Sequence, residues 1–378
     1  MTHNILITGG AGFIGSRMSL RLAANSHKVR VLDSLSSQIH GADPESSPLF
    51  RLIQGQVEFL HGSVTRREDL MKALSGMDTV VHLAAETGTG QSMHAIQHYS
   101  DVNIGGTALL LDLIANERLP INKIVIASSR AVYGEGKYLC RTHYHVYPRS
   151  RSAADMATGN FAVHCPFCGV PAELEPTDEE TSVRPASIYG ITKLAQEQMV
   201  LTIGKALGIS AVALRYQNVY GPGQSLSNPY TGILSIFSTR ILNGNSLNIF
   251  EDGKESRDFV YIDDAVAATV KAIEHAEPLV DVFNVGSGVA TDVLTIAKTL
   301  QQMLGKTVPT VVSGQFRLGD IRHNLADLTK VRAVLGYEPT VPVEEGLRQF
   351  VDWVKGEQVQ ADRYEDSLRE LRVKGIFK

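Results

Sequence analysis

Asn4–Ile5–Leu6–Ile7–Thr8–Gly9–Gly10–Ala11–Gly12–Phe13–Ile14–Gly15 is the stretch on which the fold turns. The branched apolar run Ile5–Ile7 reads as a strand buried on both faces. It breaks at Thr8–Gly9, and Phe13–Ala24 then carries a helical pattern. Glycines at 9, 12 and 15 give G-x-x-G-x-x-G at this strand–turn–helix junction. Small residues there let the backbone turn tightly and approach a pyrophosphate, whose charge suits the free N–H groups of a helix N-terminus. Asp33 closes the next expected strand, Val29–Asp33. A carboxylate at that place accepts hydrogen bonds from ribose hydroxyls and repels a 2′-phosphate. No Arg or Lys follows in 34–37, so NAD is expected over NADP.

Outward from this unit, short β-rich runs alternate with longer helical patterns. Strands are expected at Thr79–Leu83, Lys123–Ser128 and Ser210–Leu214, and helices at Arg67–Leu74, Met93–Ala115 and Ser187–Leu207. Such alternation predicts an α/β chain with a doubly wound parallel sheet of Rossmann type. After Tyr216 the rhythm loosens into turns, an amphipathic stretch near 232–242, and mixed short elements. The expected division is a dinucleotide-binding part over 1–215, to which 257–283 returns. A smaller, interleaved substrate domain takes 216–256 and 284–355, and 356–378 is a charged peripheral helix or tail. The stretch 138–181, rich in proline and poor in periodicity, reads as an insertion.

The bulk properties narrow the class. The chain has 378 residues, with 43% hydrophobic and 20% charged residues and a formal net charge of −4. That balance gives no broad attraction to nucleic acid or an anionic membrane. The first apolar run is too short for a signal peptide, and no stretch has membrane-spanning length, so a cytoplasmic protein is expected.

Ser187–Ile188–Tyr189–Gly190–Ile191–Thr192–Lys193 opens the longest helical pattern, with Tyr189 and Lys193 at i and i+4 on one face. A phenol beside an ammonium and a nicotinamide cation is eased toward phenolate, which can take a proton from a sugar hydroxyl. Tyr-x-x-x-Lys alone is common. It gains weight from Ser128–Ser129–Arg130–Ala131–Val132–Tyr133–Gly134 at the C-terminal end of an expected parallel strand, where open α/β sheets bind ligands.

These stretches resemble the extended short-chain dehydrogenase/reductases, in their nucleotide-sugar epimerase/dehydratase branch. The likeness also takes in 82–85, 103–107, 215–221, 257–264, 284–288 and 317–320, in family order over nearly the whole chain. It implies a catalytic Ser129, Tyr189 and Lys193. It places Gly9, Gly12, Phe13, Ile14, Gly15, Asp33, Leu83, Ala84, Ala85, Asn103 and Ser128 at or just behind NAD, with Tyr189 and Lys193 also touching it. Ser63 and Val64 stand where the family usually has an acidic residue for the adenine amine, a departure that bears on cofactor affinity. Ser129, Arg130, Asn218, Arg257, Arg317 and Asp320 are implied on the nucleotide-diphosphate sugar. Guanidinium groups suit its phosphates. The resemblance further implies a homodimer, paired through the helices near 93–115 and 187–207.

All reactions of the branch begin alike, and the surroundings of the sugar separate them. Dehydratases carry Asp-Glu directly after the catalytic Ser/Thr, whereas Arg130–Ala131 stands here. Alanine transfers no proton, so dehydration is disfavoured and 4-epimerisation through a ketone is expected, with a net oxidoreductase, which would consume NADH stoichiometrically, as a rival. Thr87–Met93 together with the insertion is similar to enzymes that convert dTDP-L-rhamnose to dTDP-6-deoxy-L-talose. A UDP-hexose, glucose or N-acetylhexosamine, is the alternative.

The three cysteines all fall in the insertion. Cys140-x-x-His143 and Cys165-x-x-Cys168 form two short ligand pairs suited to a tetrahedral structural zinc, with His145 and His164 as other candidates.

Overall fold

Ile5, Leu6 and Ile7 are fully buried in the strand Asn4–Thr8, an interior member of a seven-stranded sheet. The computed structural model describes residues 2–230 and 232–378. From one edge the strands run Val280–Val285, Ser210–Tyr216, Lys123–Ser129, Thr79–His82, Asn4–Thr8, Lys28–Asp33 and Glu58–His61. Every neighbouring pair is parallel. Alternate side chains enter opposite layers: Ile5 and Ile7 pack with Met18 and Leu22, while Leu6 packs with Leu110 and Val200. Burying such a side chain on both flanks contributes about 1.5–3 kcal/mol, so the apolar runs themselves hold the sheet. The fold class expected from the sequence is the one observed.

The strand order reverses between Asn4–Thr8 and Thr79–His82, and this is where an open α/β sheet leaves a crevice. The glycine turn sits on one side of it and Leu83–Ala85 on the other. Gly9 has φ +71°, and a Cβ there would lie 2.7 Å from the Ala84 amide nitrogen. A side chain on Gly15 would strike the Gly9 carbonyl. Both glycines are therefore required by close backbone approach.

One expected helix starts late and is irregular. In place of a regular Met93–Ala115, the chain forms a short turn at Thr89–Ser92 and then runs helical from Ile96 to Asn116, widened by a π-helical turn at Ser100–Gly105. The cause is tertiary. Asn103 is fully buried, its Oδ1 accepting from the Glu86 amide at 2.7 Å and its Nδ2 donating to Thr192 Oγ1 at 2.9 Å. A widened turn lets it reach both.

Beyond the sheet, Asn218–Tyr220, Ser256–Tyr261 and Ala290–Asp292 form a small sheet, and Leu247–Ile249 pairs with Thr310–Val312. Helices Ile233–Asn243, Val293–Leu304 and Val343–Gly356 cover them. The stretch 138–181 has its own three-stranded antiparallel sheet, Tyr144–Val146, Tyr138–Cys140 and Glu173–Leu174.

The last residues are not peripheral, as their charge suggested. The helix Tyr364–Val373 buries Tyr364, Leu368 and Leu371, and these join Ile376 and Phe377 against Met93, Ile236 and Phe250. The C-terminal strand end pairs with 316–318, Lys378 N donating to Phe316 O at 3.0 Å. The apolar spacing i, i+4, i+7 gives one buried stripe, and the charges occupy the outer face.

Candidate active site

The first helix, Phe13–Ala24, starts at Gly12 with no side-chain cap and no acidic residue in its first turn. Its N–H groups and the positive end of its dipole are thus left to an outside anion. They open into a cavity of about 1070 Å³ that follows the crevice. Gly9, Gly12, Phe13, Ile14, Gly15, Asp33, Ser63, Val64, Leu83, Ala84, Ala85 and Ser128 line it on the side of the glycine turn. Ser129, Tyr189 and Lys193 line its floor, and Arg130, Asn218, Arg257, Arg317 and Asp320 complete it. Asn103 is the one cofactor-side residue expected from the sequence that does not line the cavity. It lies behind, fixing Glu86 and Thr192.

The residues present fit a dinucleotide. Asp33 Oδ2 accepts from the Ala11 amide and Oδ1 from the Leu35 amide, each at 2.9 Å. Those bonds fix the carboxylate and leave each oxygen capacity for a ribose hydroxyl. Ser63 is engaged with Thr65 Oγ1 at 2.8 Å, so it offers an adenine amine less than a free carboxylate would.

Ser187 caps the helix Ile188–Leu207, its Oγ accepting from the Gly190 amide at 3.1 Å. That fixes the helix start, while Ser92 Oγ accepts from the Tyr189 amide at 3.0 Å. Ser129 reaches the same cavity as Tyr189 from the end of the strand Lys123–Ser129, its Oγ accepting from the Ala131 amide at 3.2 Å. Burial raises the Tyr189 pKa, and the Ser129 hydrogen bond and the Arg130 charge pull against it. Arg130 is thus one cation drawing the phenol's pKa down. Lys193 donates to Gln196 Oε1 at 2.7 Å, and burial lowers its pKa to about 7 against the opposing pull of Glu197. His82, beneath, is lowered to about 3 by burial, with Lys193 adding to the effect. As a neutral ring it bridges Thr8 Oγ1 at 2.7 Å and Thr107 Oγ1 at 2.9 Å.

On the far side Arg257 donates to the carbonyls of Ile321 and Arg322, both at 2.9 Å. Neutral carbonyls orient the guanidinium without cancelling its charge. Arg317 Nε pairs with Asp320 Oδ2 at 2.9 Å and lies over the Phe250 ring. The cavity wall also includes Tyr364 from the C-terminal helix and Glu255, whose pKa is raised to about 7 by burial and by Glu251. Neither was read from the sequence. Gln196 and Glu197 were also missed, although i+7 and i+8 from Tyr189 place them on the same helical face.

The four residues of the insertion, Cys140, His143, Cys165 and Cys168, converge away from this cavity, their donor atoms all within 4.8 Å of one another.

The model of the NAD dependent epimerase/dehydratase family matches residues 5–159 and 160–286. A dTDP-L-rhamnose 4-epimerase of Burkholderia thailandensis is 38% identical over 355 residues, covering 93% of this chain and 95% of the relative. The UDP-glucose 4-epimerase of Thermotoga maritima, solved with UDP-glucose, has a TM-score of 0.75 at 30% identity, covering 93% of this chain and 99% of that one. The UDP-glucuronic acid 4-epimerase of Bacillus cereus, solved with UDP-glucuronic acid and NAD, has the same TM-score at 29% identity and the same coverage. With the glycine turn, the strand-end serine and the Tyr189–Lys193 helix meeting in one crevice, the chain belongs to the NAD dependent epimerase/dehydratase family.

Proposed function

We propose that the chain inverts C4 of a nucleotide-activated sugar, and that its substrate is dTDP-L-rhamnose, converted to dTDP-6-deoxy-L-talose. One observation carries the reaction class. Ser129 and Tyr189 line a single cavity together with the Gly9–Gly15 turn, Arg257 and Arg317. A dinucleotide at one end and a sugar diphosphate at the other would bring their reactive carbons together above the phenol.

The turn 9–15, Asp33 and 83–85 would hold NAD, which when bound would supply reversible hydride acceptance at the hydroxyl-bearing carbon. The chain's own residues handle the rest. Tyr189 accepts the hydroxyl proton and later gives it back, while Ser129 holds the same oxygen. Lys193, held by Gln196, offers an N–H donor to a ribose. Arg257 and Arg317 retain the diphosphate while the ketone ring turns over, so the second transfer meets the opposite face. Ala131, buried directly after Arg130, offers no proton to a leaving hydroxyl, which argues against dehydration.

The choice of dTDP-L-rhamnose rests on the Burkholderia relative; the UDP-sugar epimerases matched over the same length support the alternative. The homodimer belongs to the same proposal: Gly106–Asn116 packs beside Ile188–Leu207, which leaves Ile191 and Leu207 exposed for a second copy. The test is to incubate the chain, without added cofactor, with dTDP-L-rhamnose, UDP-glucose and UDP-N-acetylglucosamine separately, reading products by NMR. Conversion of dTDP-L-rhamnose alone is expected. Conversion of a UDP-hexose in its place moves the substrate to the alternative, and a dehydrated product removes the epimerase reading.

A further inference from the structure

We infer that the insertion holds a structural zinc ion, ligated by the sulfurs of Cys140, Cys165 and Cys168 and by Nδ1 of His143, and that this ion braces the loop bearing Arg317 and Asp320. The argument for the metal is metric. Zinc takes thiolate at about 2.3 Å and imidazole nitrogen at about 2.0–2.1 Å in a tetrahedron, so neighbouring ligands should lie about 3.8 Å apart for S–S and about 3.6 Å for S–N. Cys140 Sγ lies 3.7 Å from Cys168 Sγ and 3.7 Å from His143 Nδ1, and Cys165 Sγ lies 3.5 Å from the same nitrogen. These are the edges of a zinc site. A disulfide would need about 2.05 Å, and all three thiols are free.

Backbone donors also point into the cluster. The amides of Thr142 and His143 are directed at the Cys140 sulfur, and the Val170 amide at that of Cys168. Each ligand pair thus sits in a tight turn whose N–H groups face the sulfur, the second closed by Gly169 at φ +71°. The other two candidate histidines stand aside: His145 Nδ1 bonds Glu175 at 2.6 Å, and His164 is not part of the cluster. Four protein donors leave no open position, so the ion is structural rather than catalytic. The segment needs such a staple. The apolar cluster around the ligands comprises only Tyr138, Val146, Val163 and two of the ligand cysteines themselves, while Met156 and Phe161 pack separately on Phe316, so the ligand end of the stretch has little core of its own.

Arg151 lies in sequence between the two ligand pairs, so the metal closes the loop that carries it. It donates to Glu135 at 3.0 Å, to Glu251 at 2.7 Å and to the Asp320 carbonyl at 3.1 Å. Arg322 shares Glu251, at 2.9 Å, and its amide donates to Glu135. The carbonyls of Ile321 and Arg322 in turn orient Arg257. An ordered insertion therefore fixes the segment that presents Arg257, Arg317 and Asp320 to the cavity. This second part rests on the proposed substrate reading; the metal itself does not.

The test uses full-length chain, freed of any histidine tag, purified once with and once without a zinc supplement. Elemental analysis is expected to find one zinc per chain, lost in the Cys165→Ser, Cys168→Ser double variant. Because that variant risks misfolding, the wild-type thiols are titrated as well: slow reaction, becoming fast with a chelator and releasing one equivalent of zinc, is expected. Substoichiometric zinc with three freely reactive thiols, a different stoichiometric metal, or a Cys140–Cys168 disulfide in untreated protein would overturn the site. Removing the metal is expected to raise KM for the nucleotide sugar several-fold with bound NAD unchanged. An unaltered KM overturns the bracing role while leaving the metal assignment intact.

Discussion

The Ser128 hydroxyl donates to Glu197 Oε2 at 2.6 Å, tying the strand that presents Ser129 to the helix that presents Tyr189 and Lys193. Glu197 is also paired with Arg215, whose Nη2 donates to Oε1 at 2.6 Å, and both side chains are buried. Arg215 continues to the Tyr133 hydroxyl at 2.8 Å, which donates to Asn284 at 2.8 Å. A chain of charge-assisted bonds thus sets the spacing between serine and tyrosine from behind.

Replacing Glu197 with alanine strands a buried guanidinium. Removing one partner of a buried pair costs about 3–5 kcal/mol, so Glu197→Ala should lower the urea midpoint by a corresponding amount. It should also depress Lys193 further, since Glu197 is what raises it. A midpoint within error of wild type would show that the network is not needed to hold strand and helix together.

The pH profile should report Tyr189. Its phenol must lose a proton to act as base, so kcat/KM rises with pH through that ionisation. Burial raises the pKa, and the Ser129 hydrogen bond and Arg130 lower it. Arg130→Met removes a lowering influence and should therefore move the acid limb to higher pH. A limb that stays in place or moves down excludes Arg130 as a cation tuning the phenol.

Tyr189→Phe keeps the ring and deletes the proton acceptor. General-base assistance contributes about 10²–10⁴-fold, so kcat should fall by that much. KM, bound NAD and circular dichroism should change little. A variant retaining more than a tenth of wild-type kcat would mean that another group takes the proton.

Leu371 is buried in the C-terminal cluster beside Phe377, whose backbone bridges to Arg317. Leu371→Ala should cost about 2–5 kcal/mol, as buried Leu→Ala changes do. It should also raise KM for the nucleotide sugar more than it lowers kcat, because the role proposed for Arg317 is to bind rather than react. Calorimetry with steady-state kinetics checks both. An equal fall in kcat with unchanged KM would place the helix outside substrate binding.

Much of this was legible in the order of residues. Ile5–Ile7 and its sister strands announce themselves because doubly buried parallel strands are short apolar runs. Tyr189 and Lys193 stand out because helical spacing is a local property. What escaped is what depends on remote partners. The π-helical turn at Ser100–Gly105 exists because Asn103 must reach Glu86 and Thr192, contacts invisible to any window along the chain. The C-terminal helix read as peripheral because its stripe is narrow, and because Met93, Ile236 and Phe250, which cover it, are far away in sequence. Arg130 was placed among substrate residues, but its effect on the phenol emerges only once strand end and helix are brought together.

The account centres on a hydride that leaves C4 and comes back to the same carbon, with Tyr189 moving only the proton. dTDP-L-rhamnose deuterated at C4, incubated in ordinary water without added NAD, tests that directly by NMR and mass spectrometry. The prediction is a product inverted at C4 that retains the deuterium. Deuterium washed out into solvent, or turnover that needs stoichiometric NADH, would contradict it.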